Sequence, residues 1–257
     1  MKKRQIKSVK LRPLLLILFL EAVLFLCLLR SYSRPTALKT SAPTPPTSAI
    51  QQAPNYQVIA RYQFQNQASL KAWEEKIFKG VTQYQVLSET GRHFLKSKTK
   101  DACSGLYVKV DAQAAKNLYL SWRWRALLFP KKKEPEKISN KTEDDFAARI
   151  YVIFPGSNFF KSDVIEYLWD KTNPAGTVAS SPFSDRIKLF VLRSGPAPAA
   201  EGGWFAEERN VFQDYEKLYG RPPTKPVGAI ALMSDSDTTG TSSEADFAEI
   251  TLKTKAS

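Results

Sequence analysis

The stretch TEDDFAARIYVIF, Thr142 to Phe154, places Asp144 and Asp145 directly before a strand-like run that holds one arginine, Arg149. Read as a strand, the run sends Phe146, Ala148, Ile150, Val152 and Phe154 to one face and Asp145, Ala147, Arg149 and Tyr151 to the other. An outward arginine can donate paired hydrogen bonds to sugar hydroxyls or carboxylates, and a tyrosine ring can stack on a pyranose. The same arginine can instead form a cross-strand ion pair with an acid on a neighbouring strand. In MSDSDTTGTSSEADFAEI, Asp235 and Asp237 leave a strand and enter a Gly/Thr/Ser turn. Oxygen ligands at that spacing could hold Ca²⁺, although the full EF-hand pattern is absent. The alternative is an Asx-type turn, in which the carboxylates accept backbone N–H groups. Tyr167 and Trp169 share a face of IEYLWDKTNPAG, and Trp204 precedes a charged segment; all three could stack a ligand or fill a core. Acids among Asp145, Asp214, Asp235 and Asp237 could serve a glycan hydrolase or lyase if two of them faced each other across ~5 to 10 Å. His93 is the only histidine, which excludes multi-histidine metal centres.

These residues must be positioned by strands. YQVIARYQF, VTQYQVLS, GLYVKV, NLYLSWRWRALLF, FAARIYVIF, VIEYLWD, RIKLFVLR, VGAIALMS and ADFAEITLK are short, rich in β-branched and aromatic residues, and bounded by turn residues. In NLYLSWRWRALLF, Leu118, Leu120, Trp122, Trp124 and Ala126 alternate with Tyr119, Ser121, Arg123 and Arg125. VGAIALM is apolar on both faces, as a central, covered strand would be. Helical periodicity is confined to SLKAWEEKIF and AEERNVFQDYEKLYG, the latter ending at Gly220 and Pro222. The expected fold is mainly β: an antiparallel sandwich of jelly-roll or galactose-binding-like type with one or two short helices. PKKKEPEKISNKTEDD reads as a solvated excursion between two strands.

The formal net charge of +13 suggests nucleic acid until its distribution is considered. Residues 1–39 carry nine Lys and Arg against one acid, leaving 29 basic and 24 acidic residues in 40–257, a net of +5. Such a mildly basic surface without a stripe argues against a nucleic-acid partner. The basic start, residues 1–12, precedes an apolar segment, 13–29, interrupted only by Glu21. It reads as an uncleaved signal-anchor crossing the bilayer once, with the N-terminus cytoplasmic. Residues 30–54 are a Pro/Ser/Thr-rich tether, and 55–254 form the expected domain, placed in the bacterial periplasm. Cys27 falls in the apolar segment and Cys103 in the domain, so no disulfide forms within the domain.

Taken in order, SWRWR, DDFAARIYVIF, IEYLW, LRSG, GWFAEERNVFQDYEKLYGRPP and GAIALMSDSDTTG…ADFAEI resemble the bacterial family known as domain of unknown function 3047, over about Tyr56 to Lys253. The resemblance implies an envelope protein with a sandwich fold and supplies no catalytic residue. Positions fitting its motifs are Asp144, Asp145, Arg149, Tyr167, Trp169, Trp204, Arg209, Asn210, Asp214, Asp235 and Asp237. Arg193 stands where many relatives are expected to have an acid. The expected role is binding of carbohydrate or another envelope polymer, with a glycan-active enzyme or an envelope scaffold as alternatives.

Overall fold

The computed structural model describes residues 55–256 except 134–136, 158–160 and 198–199. The signal-anchor and tether expected before residue 55 lie outside the described residues. Among the described residues, no helix is long and apolar enough to cross a membrane.

Thirteen strands are described: β1 Tyr56–Tyr62, β2 Glu74–Lys79, β3 Gln83–Glu89, β4 Arg92–Lys100, β5 Cys103–Ala112, β6 Leu118–Leu128, β7 Ala148–Phe154, β8 Asp163–Asp170, β9 Val178–Ser181, β10 Ser184–Ser194, β11 Phe205–Asn210, β12 Val227–Asp235 and β13 Ser242–Lys255. They form two sheets packed face to face. The first has the order β11-β6-β13-β4-β3, with β1 also paired to β13; the second has the order β2-β5-β12-β7-β8-β10-β9. Long-range pairings such as β5 with β12 and β6 with β13 tie the domain across its length. The sandwich is mixed rather than antiparallel, because β8 and β10 run parallel. The short β9 lies between them in sequence and pairs with the outer edge of β10, which lets the chain cross over before pairing.

The alternation in β6 puts Leu118, Leu120, Trp122, Trp124 and Ala126 between the sheets. There they meet Ala148, Ile150, Val152 and Phe154 of β7 and Ile165, Tyr167 and Trp169 of β8. Trp122 stacks on Tyr167 at 5.3 Å between ring centroids, and Trp124 meets Trp169 edge-on at 5.7 Å. Tyr167 and Trp169, candidates for a ligand face, are therefore core residues: the pleat of β8 aims them into the sandwich.

Both segments expected to be helical are partly strand. SLKAWEEKIF gives a short 3-10 helix, Gln67–Ala72, and then β2. In AEERNVFQDYEKLYG the helix α1 is confined to Val211–Tyr219, because AEERN lies in β11 paired along β6. Asn210 accepts the Gln213 N–H at the helix start, and Gly220, at φ 67°, ends it. Phe154 packs edge-on against Tyr215, 4.7 Å away, so α1 closes the β7–β8 end of the sandwich.

Among its described residues, the lysine-rich excursion is only partly solvated. Ile138 and Phe146 join Tyr151, Leu168, Met233 and Leu189 in an apolar cluster on the outer face of the second sheet. Lys132 reaches down to Asp170 at 2.9 Å, with both side chains buried, and lies 3.7 Å from the Phe146 ring centre. High charge density disguises a segment that covers this face.

Candidate functional site

Beneath that segment lies Arg149, only 2% exposed. The pleat of β7 carries it to the outer face of the second sheet, as the sequence pattern requires. Its Nε and Nη2 donate to the two oxygens of Asp235, at 3.1 and 2.6 Å. Nη1 donates to Glu166 Oε1 at 2.5 Å and Nη2 to the Asp144 carbonyl at 2.6 Å. The Asp144 carboxylate lies 3.7 Å from Nη1, and the guanidinium sits 4.5 Å from the centre of Phe146. Asp145 is wholly buried and accepts the backbone N–H groups of Thr238 and Thr239 at 3.0 and 2.6 Å. It thereby fixes the turn after β12 from a distant part of the chain. Asp144, which stands directly before the strand in the sequence, also belongs to the arginine cluster.

Electrostatics here are dominated by burial. It raises the carboxyls of Asp144 and Asp235 above their usual range and lifts Glu166 to about 7, despite the attraction of Arg149. Burial opposes the arginine's charge, but Asp235 and the other acids hold its pKa above the ordinary value. A hydrogen-bonded, enclosed network of this kind fixes one arrangement of its strands, and removing one partner leaves an uncompensated charge.

Cys103 Sγ and carboxylate oxygens of Asp235 and Asp237 lie within 4.8 Å of one another. The donor set suits calcium poorly. Both Asp235 oxygens already accept N–H groups, from Phe146 and Arg149. Burial keeps the Cys103 thiol protonated, and Ca²⁺ takes six to eight hard oxygens.

The sequence candidates therefore separate. Asp145, Arg149, Tyr151, Asp235 and Asp237 gather around one buried centre. Tyr167 and Trp169 lie between the sheets, where Tyr167 donates to Asp214 at 2.7 Å and Trp169 to the Gly195 carbonyl at 2.8 Å. Trp204 lies on the outer face of the first sheet. Asp145, Asp214 and Asp235 are all at least nine-tenths buried.

The first sheet presents a different face. Tyr119, Ser121, Arg123 and Arg125 of β6 point outward, as the alternation requires, beside Asp246 and Glu249 of β13 and Arg92 and Phe94 of β4. Arg125 lies between Trp204 and Phe94, 4.8 and 5.2 Å from their ring centres, and donates to Asp246 and Glu89 at 2.7 and 2.8 Å. At the β1 side, Tyr56 meets Tyr119 edge-on at 5.9 Å and donates to Glu208 at 2.7 Å, with Lys253 over its ring. Between these groups a bulge in β13 puts Glu249 at φ 54°. There it lies 3.1 Å from Arg123 Nε and 3.6 Å from Arg92 Nε. A non-glycine residue in this conformation costs about 1–3 kcal/mol, whereas a pair this exposed returns about 0–1 kcal/mol. Stability of the ion pair alone therefore does not account for the bulge. A cleft of about 410 Å³ opens at this point, lined by Gln63, Gln65, Thr90, Gly91, Arg92, His93 and Glu249. A smaller cleft of about 240 Å³ lies at the sandwich edge between Trp169, Arg193 and Phe205.

The alternation in β6 identifies that strand's outward face but not its neighbours. Arg92, Glu249 and Tyr56 come from three other strands, and only the register brings them together. Glu166 is legible as the residue alternating with Tyr167.

Several solved structures share the sandwich outline at low similarity. The family 11 carbohydrate-binding module of a Clostridium thermocellum cellulosomal cellulase is 12% identical, with 80% of this chain and 97% of that chain covered and a TM-score of 0.42. The CBM22-1 xylan-binding domain of Paenibacillus barcinonensis Xyn10C is 10% identical, with 80% and 100% covered and a TM-score of 0.40. The mannan-recognising module TmCBM27 is 10% identical, with 79% and 99% covered and a TM-score of 0.36. Likenesses at this level bear on neither ligand nor activity. No match is found among the curated proteins. The motifs running from the β2 region to β13 do fit one sequence profile, over residues 71–251, and the chain belongs to the family it describes, protein of unknown function DUF3047.

Proposed function

We propose that this protein is a membrane-anchored, periplasmic binding module that holds a carbohydrate or another envelope polymer on the open face of its first sheet. The observation that carries the reading is the asymmetry of the two outer faces. Arg149 and Tyr151 are enclosed beneath Lys132, Ile138 and Phe146, whereas Tyr119, Ser121 and Arg123 remain partly accessible beside a polar cleft. Planar side chains such as Arg, Gln and Glu make paired hydrogen bonds to adjacent hydroxyls, and the tyrosines offer ring faces. The apolar segment 13–29 and the tether 30–54 support placement at a membrane surface. On this reading the binding surface lies on the opposite side of the sandwich from Arg149.

The test is retention of the purified full chain, in detergent, on native gels cast with xylan, mixed-linkage β-glucan, polygalacturonate or soluble peptidoglycan. Retardation by at least one polymer is expected, weakened by Tyr119→Ala and Arg123→Ala. Unchanged mobility in every polymer, or variants as retarded as the parent, would refute the assignment.

A further inference from the structure

The cleft at Glu249 holds an uneven sharing of charged groups. Arg123 and Arg92 both approach the Glu249 carboxylate through Nε, the first at hydrogen-bond distance and the second beyond it, at 3.6 Å. Among the described residues, Glu249 is the only acid within ion-pair distance of either arginine. Neither one's terminal Nη nitrogens have a hydrogen-bond acceptor among those residues. Two guanidinium groups thus share one carboxylate, while Arg125, over the same Trp204 ring, is paired with two, Asp246 and Glu89. Of the two arginines on Glu249, Arg92 is held the more loosely, and it lines the cleft. Its guanidinium is braced 5.3 Å from the Trp204 ring centre, which limits its freedom in the unbound protein. The bulge in β13 is what turns Glu249 toward the two arginines.

Beside Arg92 the cleft is lined by Gln63, Gln65, Thr90 and His93, residue types that both donate and accept hydrogen bonds. A volume of about 410 Å³ lies within the range of small-molecule sites, about 300–1,000 Å³. Resting on the polymer-binding reading above, we infer that this cleft takes a carboxylated sugar, a uronate unit of an acidic polysaccharide. The uronate carboxylate accepts from the Nη pair of Arg92, and its hydroxyls bond Gln63, Gln65 and His93. Glu249 is the internal counter-charge. It holds the arginines in place and competes with the incoming carboxylate, so neutralising it strengthens acid binding.

Calorimetric titration of the full chain with trigalacturonate and with its fully methyl-esterified form tests this, since the two differ only in the charged group. The acid should bind about tenfold more tightly than the ester, with the advantage shrinking as salt is raised. Arg92→Gln should abolish the advantage and Arg92→Lys, which keeps charge but not the fork, should restore only part of it. Glu249→Gln should tighten acid binding several-fold and leave the ester unchanged. Equal affinity for acid and ester, an advantage surviving Arg92→Gln, or no binding of either would overturn the inference. In each case retention on the neutral polymers decides separately whether the broader reading stands. Should Arg92→Gln fail to fold, as judged by its thermal melt, the Glu249→Gln comparison alone decides the matter.

Discussion

Glu166 shows how one buried side chain makes the fold sensitive to pH. Its carboxyl is lifted from 4.5 to about 7, first by burial and against the pull of Arg149. The folded state thus holds this proton more tightly than the unfolded chain does. The associated stability is fully present below pH 4.5 and is lost as pH rises through about 7. Over that window the loss is on the order of 3 kcal/mol for an isolated group, shared in practice with Asp144 and Asp235, whose carboxyls are raised in the same direction. Glu166→Gln keeps an oxygen for Arg149 Nη1 but removes the titration. Urea unfolding of the full chain at a series of pH values should give a wild-type curve that falls relative to the variant between these limits. Parallel curves would show that Glu166 does not titrate there.

At the scale of elements, the 130–147 segment is the part least legible in sequence. β6 and β7 alternate cleanly, so the period of two is enough to assign their inward and outward residues. The segment before β7 has no such period: its composition is that of a solvated loop, and among its described residues Ile138 and Phe146 supply the apolar anchors to the outer face. Its hold on the sheet comes from pairings distant in sequence, Lys132 with Asp170 and Asp235 with the Phe146 N–H. AEERN misleads for a related reason. Its residues favour a helix in isolation, but pairing along β6 overrides that preference. Phe146 is the anchor to remove. It lies under two cations and is 1% exposed. Phe146→Ala should cost about 3–5 kcal/mol in urea unfolding and speed limited proteolysis between β6 and β7. The exposed Lys137→Ala should do neither. Equal effects of the two would mean that the segment is not held down through Phe146.

For the whole molecule, the two sheets leave two outer faces with different fates. One carries a buried ion network under a covering segment; the other carries arginines, tyrosines and a cleft. Sheets in a sandwich pack about 10 Å apart, so Arg149 and Arg123 belong to separate networks on opposite sides of the core and their effects should be independent. Arg149→Ala leaves Asp235, Glu166 and Asp144 without their common partner, a change that costs about 3–5 kcal/mol when a buried pair is broken. It should lower the melting temperature while leaving affinity for the retarding polymer unchanged at a temperature where the variant is folded. Arg123→Ala removes a half-exposed contact to Glu249, so it should weaken polymer binding and shift the melt little. The double variant should show the sum of the two effects in each assay. If Arg149→Ala weakened polymer binding in a fully folded sample, the binding surface would extend to the covered face. The division between a face that stabilises and a face that binds would then be wrong.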